Sequence, residues 1–155
     1  MSKKPPELIQ NLLPESVLIF NENKQEWEIA FNRNYKRIIT EDLISAFTFN
    51  EASETKTSIA LDCSAYQKGL LLLNIDVTGA PTDIYFRLQF SDNRVDWFNY
   101  VIGPFGDLRF EDSAGDQKVC LDFPILAPYL RLYAVSSGCE ATKTFLVTAK
   151  IILNG

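Results

Sequence analysis

The chain has 155 residues, 46% of them hydrophobic and 12% aromatic, which supplies core material for one ordinary domain and excludes a disordered chain. It contains no histidine, so histidine-based triads and the commonest zinc, copper and non-haem iron ligand sets are excluded. A net charge of −5 and a pI near 4.8 leave no electrostatic footprint for a polyanion, and no nucleic-acid partner is expected.

The opening, MSKKPPELIQNLLPES, has two lysines but no apolar stretch followed by a small-residue cleavage site. It is not read as a secretory signal, and synthesis in a cytoplasm is expected. Pro5, Pro6 and Pro14 bracket Leu8, Ile9, Leu12 and Leu13, an apolar piece long enough for about one or two helical turns, which reads as an arm. Residues 16–20 and 26–31 flank the polar run Asn21-Glu22-Asn23-Lys24, a hairpin pattern that puts Trp27, Ile29 and Phe31 on one face. The stretch 32–37 carries Arg33, Lys36 and Arg37 with little apolar content. Those three, with the four apolar arm residues, form the candidate partner-binding set, and residues 1–56 are read as an N-terminal arm and hairpin region.

From residue 57 to residue 155 the pattern is that of a β-sandwich domain. Strands are predicted over 57–61, 70–77, 84–90, 96–102, 117–121, 129–135 and 144–153, each rich in branched or aromatic residues. Period two is clearest in Ile84, Phe86, Leu88 and Phe90, with Tyr85, Arg87 and Gln89 between them, a strand with one wet face. Glycines and prolines at 78–82, 103–106, 113–116 and 136–138 mark the chain reversals. Short strands at this spacing read as an all-β fold, an antiparallel β-sandwich of jelly-roll-like type. No membrane span is expected, because the longest apolar run, 69–77, is broken by Asn74 and Asp76. Cys63, Cys120 and Cys139 cannot all pair and lack metal-site spacing, so reduced, buried thiols are expected.

Two groups are chemical candidates. Asp107, Glu111, Asp112 and Asp116 lie within GDLRFEDSAGD, an oxygen-rich loop whose spacing matches no calcium motif; it reads as a solvated loop, not as a cation site or a glycosidase acid and base pair. Trp97, Tyr100 and Phe105 are candidates for stacking on a sugar ring. Alternation places Trp97 and Asn99 on one face and Phe98 and Tyr100 on the other, and core or intersubunit packing is the preferred reading. There is no phosphate-binding glycine loop and no nucleophile elbow. No enzyme activity, metal or cofactor is expected.

From residue 57 onward the sequence resembles small β-sandwich structural proteins of tailed bacteriophage virions, of decoration and neck type, over about two-thirds of the chain. TSIALDCSAYQKGLLLLNIDVTG is similar to their opening strand, linker and strand, and LQFSDNRVDWFNY to their strand, Ser-Asp, turn and Trp element. PYLRLYAVSSGCEATKTFLVTAKIIL is similar to their closing hairpin. The resemblance implies a non-catalytic virion structural protein, present as a symmetric homo-oligomer. It would act as a capsid decoration or head accessory protein whose partners are capsid or other virion proteins. The alternative reading is a carbohydrate- or receptor-binding module of a fibre or tail tip.

Overall fold

The computed structural model describes residues 16–21, 26–31, 38–101, 106–111 and 115–155, the first two stretches by their strand pairing alone. The chain forms two units, Met1–Lys36 and Arg37–Gly155. In the first, β1 (Ser16–Asn21) and β2 (Glu26–Phe31) pair antiparallel from Ser16↔Phe31 to Asn21↔Glu26, the hairpin expected from the sequence. The arm residues Leu8, Ile9, Leu12 and Leu13, the basic group Arg33, Lys36 and Arg37, and the side chains of Trp27, Ile29 and Phe31 lie outside the described residues.

The second unit contains β3 (Ile38–Phe49), β4 (Ser53–Thr57), β5 (Leu61–Asp62), β6 (Lys68–Thr78), β7 (Asp83–Ser91) and β8 (Phe98–Asn99), followed by β9 (Leu108–Glu111), β10 (Gln117–Pro124), β11 (Tyr129–Ser137) and β12 (Thr144–Asn154). One sheet has the order β10-β6-β12-β3, the other β4-β11-β7-β8, with β5 also on β11 and β9 also on β7. All of these pairings are antiparallel. Because β4 and β5 share one edge of β11, and β8 and β9 share one edge of β7, each sheet has four strand positions. Their order is that of a jelly roll, as the sequence predicts.

The core follows from period two. On β7 Ile84, Phe86, Leu88 and Phe90 are buried while Tyr85, Arg87 and Gln89 face outward, and β6, β11 and β12 bury Leu71, Leu73 and Ile75, Leu130, Leu132 and Ala134, and Phe145, Val147, Ala149, Ile151 and Leu153 in the same way. These inner faces meet in one apolar cluster between the sheets. The reversals are closed by Gly79 and Gly138, both at φ +67° in the left-handed region that a side chain disfavours.

Several elements differ from expectation. The boundary expected at 56/57 falls inside the sandwich, since β3 and β4 contribute one strand to each sheet. β3 carries no clean alternation because its register against β12 shifts twice, between Val147 and Ala149 and again before Lys150. Leu43 and Ile44 are consequently buried in succession, and Ala46 adopts φ +50°. The strand expected over 57–61 breaks at Ser58, whose amide donates to the Leu132 carbonyl (2.8 Å) and whose Oγ accepts the Leu132 amide (2.8 Å), a side chain replacing a ladder partner. Of the strand expected over 96–102, Phe98–Asn99 pairs with β7 and the Tyr100 amide donates to the Leu88 carbonyl (2.8 Å), while Asp96 and Trp97 lie in the preceding loop. Both interrupted edges belong to the same sheet, and short, broken edges oppose pairing with another chain's strand.

Candidate functional site

The outward positions of β7 and β11 place Tyr85, Arg87 and Gln89 opposite Val135, Tyr133 and Arg131, with Tyr129 next along β11 opposite Ser91, and β9 adds Arg109 opposite Tyr85. The guanidinium groups lie over aromatic rings. Arg131 Cζ lies 4.1 Å from the Trp97 ring centroid and Arg94 Cζ 4.3 Å from that of Tyr129. Arg87 and Arg109 contact Tyr85 at 4.9 and 5.3 Å. Arg109 Nη1 also donates to Asp83 Oδ2 at 2.9 Å, and Arg87 pairs with Asp107 at 3.6 Å. Arg131 Nε donates to Gln89 Oε1 at 2.7 Å, and Gln89 Nε2 donates to Asn99 Oδ1 at 2.9 Å. Burial disfavours the charge on Arg131 and lowers its pKa. Arg87, Arg94, Arg109 and Arg131 are all the arginines among the described residues, and all four lie on this one face.

The loop that delivers Arg94 and Trp97 is fixed by local hydrogen bonds. Asn93 Oδ1 accepts the amides of Val95 (2.8 Å) and Asp96 (2.9 Å), and Ser91 Oγ accepts those of Asn93 (3.2 Å) and Arg94 (2.8 Å). They hold Arg94 at φ +64°. Trp97 Nε1 donates to the Arg94 carbonyl at 3.2 Å, which ties the indole back to the turn and away from the strand ladder. Just beyond this loop, Asp62 is held below the usual carboxylate range by hydrogen bonds from the Ser64 side chain and amide, with a smaller contribution from Arg94.

Of the expected stacking residues, Trp97 is half-buried with Arg131 over its ring, Tyr100 occupies a different feature, and Phe105 lies outside the described residues. Tyr100 packs edge-on against Phe90 at 6.1 Å and lines a groove of about 350 Å³ with Phe98, Val101 and Leu126, all well exposed. The acidic loop is likewise dispersed. Asp107 pairs with Arg87, Asp116 Oδ1 accepts the Val77 amide at 2.7 Å, Glu111 stands opposite Asp83, and Asp112 lies outside the described residues. Among the described residues no three or more carboxylates or thiols come together.

The thiols divide. Cys63 and Cys139 are buried as expected, and Cys120 is exposed on the edge strand β10, because alternation there turns Val119 and Leu121 inward. Burial pushes the Cys63 thiol up to about 11, and it donates to the carbonyls of Ala127 and Pro128 at 3.2 Å. The arginine face was not singled out from the sequence. Its signal was present in the polar positions of YFRLQF and YLRLY, which carry only Tyr, Arg and Gln.

No protein-family model matches the chain, and no curated protein matches it by sequence. Among solved structures, the fold is similar to the infectious bursal disease virus VP2 subviral particle, with a TM-score of 0.53, 8% identity, and coverage of 90% of this chain and 37% of that chain. The Gt strain of the same virus gives 0.52, 11%, 90% and 36%. The SPBc2 prophage-derived protein YomS matches at a TM-score of 0.43 and 12% identity, over 79% of this chain and 96% of that one. The chain spans little more than a third of the length of the bursal disease virus chains it matches. At these identities the likeness is one of fold: an all-β antiparallel sandwich.

Proposed function

We propose that this chain is a structural component of a virus particle, made in the host cytoplasm, and specifically a decoration or head accessory protein of a tailed bacteriophage that binds assembled capsid subunits. The single observation that carries the reading is the jelly-roll strand order, an architecture suited to close-packed shells and shared in fold with proteins of a viral particle. The protein acts by binding, without catalysis, in repeated copies on a symmetric particle. Attachment is assigned to the N-terminal set of Leu8, Ile9, Leu12, Leu13, Arg33, Lys36 and Arg37, with the sandwich as the outward body. Fold alone does not define function, so the test is direct. Purified protein is sedimented with particles of the virus whose genome encodes it, alongside a variant lacking residues 1–14. The full chain is expected to co-sediment and the truncated chain to fold cooperatively yet stay in the supernatant. A full chain that stays in the supernatant would overturn the virion reading, and a truncation that co-sediments normally would overturn the assignment of attachment to the arm.

A further inference from the structure

The arginines and lysines of the described residues are segregated. Arg87, Arg94, Arg109 and Arg131 share the outer face of the six-stranded sheet, whereas Lys68, Lys118 and Lys150 belong to the other sheet, Lys143 pairs with Glu140 in the last turn, and Lys56, on the edge strand β4 opposite the inward Ala134, lies over Phe47 on the inner side. A face rich in Arg, Tyr and Trp and without Lys has the composition of protein-binding hot spots. The reason is geometric: a planar guanidinium laid on a ring loses little freedom when it accepts a carboxylate in its fork, and a flexible ammonium loses more.

Two of the four guanidinia are already paired, Arg109 with Asp83 and Arg87 with Asp107. The other two are not. Among the described residues no carboxylate lies within 4.0 Å of Arg94 or Arg131, and the terminal nitrogens of Arg131 donate to none of them. Each is nevertheless pinned, Arg94 by the Ser91 and Asn93 turn and its stack on Tyr129, Arg131 by Gln89 and its stack on Trp97. Asp62 offsets Arg94 from beyond ion-pair distance, but neither guanidinium holds a carboxylate in its fork, and two such pre-oriented cations on a protein of net charge −5 call for discrete negative groups from outside.

We propose that the outer face of the six-stranded sheet is a docking surface for a protein partner that presents carboxylate side chains, received by Arg94 and Arg131 where they stack on Tyr129 and Trp97. A phosphate polymer fits poorly, because Asp62, Asp83, Asp107 and Glu111 are interspersed on or beside the same face and break up its positive potential. A sugar ring fits poorly, because the arginines already cover the Trp97 and Tyr129 rings. The proposal deepens the virion reading and rests on it only in taking the partner to be another particle subunit.

The test uses the full chain and two measurements. By calorimetry at low salt, a glutamate-rich peptide is expected to bind saturably, with affinity falling about tenfold or more in the double variant Arg94→Gln/Arg131→Gln. Arg94→Lys/Arg131→Lys, which keeps charge and loses the stacked fork, is expected to fall between, and it decides the matter if the glutamine variant fails to fold. Lys118→Gln/Lys150→Gln should bind as the parent does. No saturable binding, equal loss in the lysine control, or tighter binding of a single-stranded DNA of equal charge would each overturn the surface. Co-sedimentation with particles separates the two readings. A parent chain that fails to sediment removes the virion reading while the peptide result stands, and a parent chain that sediments but binds no peptide removes this surface alone.

Discussion

Replacing Phe86 by Ala removes a fully buried ring from between the sheets. Phe86 is fully buried, lies opposite Ala134 on β11 and Leu108 on β9, and meets Phe110 edge-on at 6.1 Å and 64°. Ala134 is too small to fill the space left behind, and the ladder on both sides of β7 prevents the strand from moving in, so the cavity persists and the cost is about 3–5 kcal/mol. The loss of the edge-on ring pair falls within that figure. Against a total stability of about 5–15 kcal/mol this is a large part. The next residue is the control. Arg87 faces outward with its side chain 36% exposed, contacts Tyr85 and pairs with Asp107 at 3.6 Å, so Arg87→Ala is expected to cost about 1 kcal/mol. Urea unfolding of both variants, followed by circular dichroism, measures the difference as a shift in midpoint at constant slope. Equal destabilisation by the two substitutions, or less than about 1.5 kcal/mol for Phe86→Ala, would refute the assignment of faces on β7.

Gly138→Ala is expected to destabilise by about 1–2 kcal/mol or more, since Gly138 sits at φ +67° and a Cβ there would approach the Thr82 amide nitrogen to 2.9 Å; an unchanged melting temperature would contradict the turn. In the native protein a thiol reagent should label Cys120 rapidly and Cys63 and Cys139 only after unfolding, as mass spectrometry of the labelled peptides would show. Because the folded Cys63 thiol stays protonated up to about 11 from an ordinary value of 9.0, the unfolded chain releases its proton first. Stability should therefore fall as pH rises across that interval, and Cys63→Ala should flatten the slope.

The strands β6, β7, β11 and β12 were legible because each buries one face and wets the other, so that Leu, Ile, Phe and Val recur at every second position. β3 was not, because two register shifts place Leu43 and Ile44 in succession and erase the alternation. β9 was hidden because four paired residues, Leu108–Glu111, sit within a run of carboxylates that reads as a loop. Trp97 was visible as an aromatic next to a turn, but the group that covers its ring, Arg131, comes from β11, and such non-local pairing leaves no trace in local spacing. Cys120, by contrast, follows from local spacing, since Val119, Leu121 and Phe123 at every second position turn it outward. The alternation that buries Phe86 and Leu132 also sets Arg87 and Arg131 outward, so half of the arginine face could be drawn from period two alone.

The central claim, that this jelly roll serves as an assembled part of a virus particle, is tested most directly by imaging particles of the encoding virus at a resolution that traces strands. The account predicts that the β10-β6-β12-β3 and β4-β11-β7-β8 sheets are found at symmetric positions on the outside of the shell, and that the density disappears from particles of a mutant virus lacking the chain. Particles that contain no copy of the chain, while the protein is abundant in the infected cell, would contradict it.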